Sequence, residues 1–277
     1  MSKTIKKDID PITYEILRHR LFSILQEGRY AMARVSGSPV ATEAKETMTA
    51  IYDADGEIIL TAAGVFLHII GVNDEIKYII ENYKDEPGIY DGDIFFFNDP
   101  YLGGIHTNDI ASIMPIFHKG ELIAWASGLV HTAETGAIQP GGMPGDATEV
   151  YHEGLSVPGL KVVEKGKLRK DFIRFLERAT RSPAMIVLDT KARNASCYAI
   201  KKGFIELVER YGKDTVLAMC DRLVQESEIL ARRKLEKLPD GTWRQEVFAD
   251  HDGKKYTRMR IRCTMTKKGD HITFDFE

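Results

Sequence analysis

The 277-residue sequence has little cysteine: Cys197, Cys220 and Cys263, far apart and odd in number. Three thiols so placed make neither a disulfide framework nor a cysteine-rich metal site, and a reducing, cytoplasmic compartment is the expectation. An excess of charge of one sign is also lacking. Lys and Arg number 38 against 41 Asp and Glu, a formal net charge of −3, which gives no electrostatic case for nucleic acid or an anionic membrane. No apolar run approaches the roughly 20 residues that cross a bilayer. Met1 to Asp8 carries lysines with no apolar stretch behind them, so no secretory leader is expected. No GxxxxGK followed by Ser or Thr occurs, and no GxGxxG turn opens a helix, so this chain has no familiar loop for ATP or a dinucleotide.

What is present is an ordinary globular alternation of helical and strand patterns. Asp10 can cap a helix that Pro11 begins, and Ile12, Ile16, Leu17, Leu21, Ile24 and Leu25 follow helical spacing as far as about Val35. Ser36-Gly37-Ser38-Pro39 ends it. Residues 50–60 predict a hairpin turning at Asp55-Gly56. Residues 74–82 predict a second helix, and Asp91-Gly92-Asp93 leads into a strand over 94–97. Two apolar runs, 110–117 and 122–130, flank the polar turn His118-Lys119-Gly120-Glu121 as a second hairpin. Residues 136–160, rich in Gly and Pro, predict a site-shaping loop; Asp146, Glu149 and Glu153 within it read as solvated charges. Residues 165–198 predict helix with a break near Ser182-Pro183, followed by helices near 199–211 and 214–237. Cys197 and Cys220 in these helices read as buried small hydrophobes. Strands are expected over 243–249, 257–267 and 271–276. The fold class is therefore α+β, with mixed helices and largely antiparallel sheets. Three parts are expected: 1–160, an α+β domain carrying the site; 161–241, a helical segment; and 242–277, the start of a β-sheet region.

The chemistry concentrates at Asn98-Asp99-Pro100-Tyr101-Leu102-Gly103-Gly104-Ile105-His106-Thr107-Asn108-Asp109 and at His131-Thr132-Ala133-Glu134. Gly103 and Gly104 permit a tight turn that presents His106 and Asp109 to one point. The hairpin between them and His131 returns His131 to the same end. Two imidazoles and a carboxylate, His106, Asp109 and His131, suit a divalent first-row metal with open positions for water or substrate; manganese, iron and zinc are all reasonable. Glu134 is a candidate fourth ligand, acceptor for an imidazole N–H, or general base. His68 lies in an apolar stretch, where a histidine is more often a core residue. His118 reads as exposed, and His19, His152, His251 and His271 carry no motif. Asp189, Lys191 and Arg193 read either as a charged helix surface or as part of a motif, and Arg232, Arg233 and Lys234 as solvated helix charges.

The stretches FNDPYLGGIHTNDI, PIFHKGELIAWASGLVHTAETGA and PGGMPGDATEVYHEGLSVP resemble the hydantoinase B family, also called the 5-oxoprolinase/N-methylhydantoinase large-subunit family. AIYDADGEII at 50–59, FLHIIG at 66–71 and RSPAMIVLDTKAR at 181–193 add to the likeness, which runs in order through nearly the whole chain. Hydantoinases of the family usually carry a doubled His followed by Ala-Asp at the second ligand segment. Here the segment is His131-Thr132-Ala133-Glu134, more similar to the alpha subunits of acetone carboxylase and related ketone carboxylases.

The resemblance implies a metal, manganese in the acetone carboxylase branch, held by His106, Asp109 and His131, and it makes His68 a pocket residue. It implies an ATP-binding hydantoinase A-like beta subunit of the actin-like ATPase superfamily as partner, with a small gamma subunit in acetone carboxylases. It implies a reaction in which ketone and bicarbonate are activated by phosphorylation and joined as a 3-oxo acid, with His68 and Glu134 as the candidate catalytic groups. The alternative from the same resemblance is the opening of a lactam, oxoproline or hydantoin ring; a non-catalytic assembly subunit is a third reading, against which the intact triad stands. Family members continue beyond the equivalent of Glu277, so a further chain supplying the rest of the fold is an expected partner.

Overall fold

The computed structural model describes residues 9–277; the expectation for Met1 to Asp8 lies outside the described residues. Helix α1 (Pro11–Val35) begins as the sequence predicts, with the Asp10 carboxylate accepting the Thr13 backbone N–H at 2.9 Å. A short helix α2 (Pro39–Thr42) leads into the hairpin β1 (Thr47–Tyr52) and β2 (Ile58–Ala63). A 3-10 turn (Phe66–Ile69) and helix α3 (Val72–Tyr83) precede β3 (Ile94–Phe97). The long hairpin β4 (Asp109–His118) and β5 (Glu121–His131) follows, then the Gly- and Pro-rich loop, and then β6 (Pro158–Glu164) and β7 (Lys167–Leu168). Helices α4 (Lys170–Ala179), α5 (Pro183–Tyr211) and α6 (Lys213–Glu236) lead to a second sheet of β8 (Gly241–His251), β9 (Tyr256–Lys268) and β10 (His271–Phe276).

The first sheet has the order β2-β1-β5-β4-β3-β6-β7, with every neighbouring pair antiparallel. Both faces are covered, so its central strands are buried throughout rather than alternating. Ile51, Phe96, Ile110, Met114, Ala124 and Ala126 join Leu17, Leu21 and Leu25 of α1 and Ile200 and Phe204 of α5 in one core. The alternate residues Met48, Ala50, Tyr52, Phe95, Phe97, Ala111, Ile113 and Trp125 meet Val72, Ile76 and Ile79 of α3 on the other side. The second face holds the site, because Asp109 and His131 share the parity of Ala111, Ile113 and Leu129.

Two expectations are corrected. The stretch expected to be helical from 165 begins instead with the β6–β7 hairpin, whose short strands pair Val163 with Leu168. One helix, α5, runs unbroken across the expected junction at 198/199, since nothing there breaks helical spacing. Residues on both sides of 160 lie in β6, and Phe172, Leu176, Ile186 and Phe204 pack in the same core as α1 and the sheet. The strands expected over 243–276 form the three-stranded sheet β10-β9-β8. One face of it carries Trp243, Val247, Ile261, Phe274 and Phe276, all exposed.

Candidate metal centre

The β4–β5 hairpin does what the spacing of its ligands requires. Asp109 opens β4, His131 closes β5, and the two are directly paired across the ladder. His106 arrives through the turn after Pro100–Leu102, where Gly103 takes φ of 123°. The Asp109 carboxylate is buried, and three imidazoles surround it. Its Oδ2 lies 2.9 Å from His106 Nδ1 and accepts the His106 backbone N–H at 3.2 Å. Its Oδ1 lies 2.7 Å from His131 Nδ1 and 3.2 Å from His68 Nε2. His68 comes from the 3-10 turn between β2 and α3, and its ring stacks parallel to that of His131 at 6.5 Å. His68 is thus buried against Asp109 and His131 rather than in an apolar core apart from them.

Electrostatics follow from this crowding. Burial alone would raise the Asp109 pKa, but hydrogen bonds from His131 and His68 outweigh it, and the carboxyl is held well below its ordinary value. The bond to Asp109 raises His131, with burial opposing. The α3 residue Glu75 is also buried, and its Oε2 has no hydrogen-bond partner among the described residues. Burial, followed by the Asp109 charge, pushes Glu75 up to about 8.

Backbone and buried polar groups fix the ligand segments. Thr132 N–H donates to Asn108 O at 2.8 Å, and Asn108 Nδ2 donates to Thr132 O at 2.7 Å. Asn98 Nδ2 donates to Thr107 O and Leu155 O, while its Oδ1 accepts Val157 N–H. Behind His131, Ser38 Oγ donates to Asp189 and accepts Ala133 N–H at 3.1 Å. Arg193 is fully buried and donates to Thr190 Oγ1 at 2.9 Å; burial lowers its pKa to about 10. Asp189 and Arg193 are therefore interior supports and not a charged helix surface; Lys191, between them, is exposed.

The close packing of two backbones joins the His68 turn to the ligand turn. Gly71, at φ of 107°, would place a Cβ 1.8 Å from Gly103 O. Gly71→Ala must separate those chains and strain its own backbone, and we expect a loss of roughly 3 kcal/mol or more in urea unfolding. An unchanged midpoint would show that the approach is unimportant.

The structure does not bring Glu134 to this cluster. Its Oε1 accepts Gly136 N–H at 2.7 Å and Arg181 Nη1 at 3.0 Å, and its Oε2 accepts Arg181 N–H at 2.6 Å. In this arrangement it ties the loop after His131 to the start of α5. His118, expected to be exposed, is partly covered and pairs with Glu209 at 2.9 Å. Asp146 receives Gln139, and Glu149 pairs with His152, both at the surface.

The sequence reading missed Glu46 and Glu75. Glu46 precedes β1, and its carbonyl accepts the His131 N–H at 3.2 Å. Its only sequence signal is its parity with Met48 and Ala50. That parity acquires meaning only once β1 is known to lie beside β5. Glu75 sits among the first-turn acids of α3, where an acidic residue is ordinarily a solvated partner of the helix dipole.

The donor set fits a divalent cation. Among the described residues, ligand atoms of His106, Asp109 and His131 lie within 4.8 Å of one another, and so do those of Glu46, His68 and His131. First-row ions take imidazole nitrogen and carboxylate oxygen at about 2.0–2.2 Å, so donors on opposite sides of an ion stand about 4.2 Å apart. Of the three candidate ligands, His106 is the most exposed, with a side chain 36% exposed against 17% for His131 and 1% for Asp109.

The chain is 40% identical over 270 residues to the acetophenone carboxylase delta subunit of Aromatoleum aromaticum, covering 96% of this chain and 39% of that protein. It is 32% identical over 292 residues to the acetone carboxylase alpha subunit of Xanthobacter autotrophicus, covering 99% and 38%. The solved structure of the ATP-dependent caprolactamase from Pseudomonas jessenii superimposes with a TM-score of 0.90 at 29% identity, covering 98% of this chain and 46% of that one. The chain thus spans about two-fifths of the length of these curated relatives. No helix among the described residues is long and apolar enough to cross a membrane. The sequence profile of the hydantoinase B/oxoprolinase family matches residues 10–277, and the chain belongs to that family of enzyme subunits.

Proposed function

We propose that the chain is the metal-binding catalytic subunit of an ATP-dependent carboxylase that joins bicarbonate-derived CO2 to a ketone, giving a 3-oxo acid. The observation that carries this reading is the His106–Asp109–His131 cluster in a chain 40% identical to an acetophenone carboxylase subunit. Thr132 and Glu134, in place of the second His and the Asp usual in hydantoinases, favour the same branch.

A divalent ion, manganese by preference, supplies a Lewis acid for oxygen charge that develops on the substrate. The chain's own residues do the rest. Asp109 and His131, on the paired ends of β4 and β5, and His106, in the turn before β4, would hold the ion, and Asn108 locks both strand ends together through its backbone and amide. Asp109, kept ionised, maintains negative charge among the imidazoles. Burial of His68 and Glu75 keeps water from the α3 side. We assign ATP to a hydantoinase A-like partner, with a small gamma-type subunit and a chain or segment supplying the rest of the family fold. The free cysteines accord with a cytoplasmic setting.

A second reading is favoured by the superposition on caprolactamase: opening of a cyclic amide, with the same cluster polarising the ring carbonyl. The assembly purified with its partners separates the two. Bicarbonate- and ATP-dependent consumption of acetone or acetophenone, with about one metal per chain, is the expected result. ATP-dependent ring opening without a bicarbonate requirement would replace the carboxylase by the amidase.

A further inference from the structure

On the face of the first sheet away from α3, helix α1 and the segment after Pro39 border a cavity of about 340 Å3, lined by Arg29, Tyr30, Ala33, Arg34, Thr42 and Lys45. Three of these residues are cations, and no carboxylate is among them. None of the three forms an ion pair among the described residues, whereas Lys161, Lys201 and Lys213 each pair with a carboxylate. Arg29 is the fixed element. It is only 8% exposed, and its Nε donates to Thr47 O at 3.0 Å and its Nη2 to Lys45 O at 3.2 Å. A Cβ on Gly64 would stand 2.5 Å from that Nη2, so the chain makes room for the guanidinium there. The two bonds engage two of the five N–H donors of a guanidinium. The others, both on Nη1 included, have no partner among the described residues, and they belong to a side chain that lines the cavity. Lys45 takes a left-handed backbone at φ of 58°, rare for a residue with a side chain. Its carbonyl accepts both Arg29 and the Thr47 N–H. Arg34 and Lys45 are exposed and form the rim.

We propose that this cavity binds a phosphate group. Three cations with no acid between them carry more charge than one carboxylate neutralises, and they suit an anion of charge near −2. A guanidinium matches two phosphate oxygens with parallel donors, and a lysine adds a point charge. Pockets for small molecules run to about 300–1,000 Å3. This cavity lies at the small end, with room for a phosphate carrying a small organic group. The chain's net charge of −3 gives a nucleic-acid backbone no further footing. Lys45 directly precedes Glu46, whose carbonyl accepts the His131 N–H at 3.2 Å. The cavity therefore stands at the same end of the sheet as the metal cluster, on the α1 side. Two sources share this chemistry: inorganic phosphate and the phosphoryl group of an activated substrate. The second source rests on the ATP-dependent reading above; the binding of phosphate does not.

The test is a calorimetric titration of the chain in its native assembly, stripped of metal and nucleotide, with inorganic phosphate and separately with phenyl phosphate at low salt. Without metal in the protein, the outcome is independent of the metal centre. Arg34→Gln and Lys45→Gln are titrated in the same way. Both side chains are exposed, so the core is untouched, and far-UV circular dichroism establishes that each variant is folded. Each is expected to bind phosphate at least about 10-fold more weakly than the wild type, the effect of losing one charge-assisted bond. Binding to the wild type is expected to weaken as salt rises. A phosphate site on a partner subunit is common to all three proteins, so the difference between them reports this cavity. Tighter binding of phenyl phosphate than of inorganic phosphate would assign the cavity to an activated substrate, and equal or weaker binding to released phosphate. Wild-type affinity in either variant, or no binding to the wild type, would overturn the phosphate site while leaving the carboxylase and amidase readings as they stand.

Discussion

Asp109→Asn is expected to lower divalent-metal affinity by more than about 100-fold, measured by equilibrium dialysis and metal analysis on the stripped and reloaded protein. Loss of an outer partner of a metal ligand already weakens such sites by about 10–100-fold, and Asp109 is a direct ligand in this reading. Its neighbours make the loss larger. Oδ1 and Oδ2 face nitrogens of His131, His68 and His106 at 2.7, 3.2 and 2.9 Å. An amide in its place points an NH2 group at one or more of them, so the imidazoles are mis-set as well as the carboxylate lost. Glu134→Gln provides the comparison. Glu134 is engaged by Arg181 and Gly136 and lies outside the cluster, so the variant is expected to keep its metal. Equal metal loss in both variants would mean that the effect reports a loosened fold, and retained metal in Asp109→Asn would rule out the centre.

Glu75→Gln is expected to remove the loss of stability that the metal-free protein shows between about pH 4.5 and pH 8. The Glu75 carboxyl keeps its proton in the folded chain up to about pH 8, whereas an unperturbed Glu releases it near 4.5. Below 4.5 both states hold the proton and stability is unaffected. Between 4.5 and 8 the unfolded chain has released its proton and the folded chain has not. The unfolded state therefore binds fewer protons, and stability falls by about 1.4 kcal/mol per pH unit. Above 8 the loss levels off. Between pH 5 and pH 7.5 the stability of the wild type relative to Glu75→Gln is expected to fall by roughly 3 kcal/mol, an upper bound before local relaxation. Chelator-treated protein is required, because a nearby cation would favour the ionised carboxylate. Urea unfolding at the two pH values checks it, and parallel pH profiles for the two proteins would show that Glu75 does not titrate in this range.

The parts of the site that were legible in the sequence are those where ligand and structural signal coincide. His106 and Asp109 stand beside Gly103-Gly104, and the apolar runs on either side of His118-Lys119-Gly120-Glu121 are long enough to bring His131 back to Asp109. The ladder pairs those two residues directly. His68 was found through the FLHIIG likeness, since a histidine in an apolar stretch has no local mark of a ligand. Glu134 lies three residues from His131, a spacing that on its own is consistent with a shared site. At the strand end the chain leaves the sheet, and Thr132 is held inward by Asn108 while Glu134 turns to Arg181.

The sequence by itself determined the helix cap at Asp10, the β1–β2 and β4–β5 hairpins, the absence of a familiar nucleotide loop, the α+β class and the family. Each of these rests on residues close together in the chain, where periodicity, turn chemistry and motif can be read directly. Only the tertiary structure decided that β1 lies beside β5, that the turn before α3 reaches Asp109, and that Asp189, Arg193 and Glu75 are interior. These depend on which strands become neighbours and which helix face meets them. Strand order is a matter of long-range pairing, and a carboxylate on a helix reads the same in sequence whether water or a sheet lies opposite.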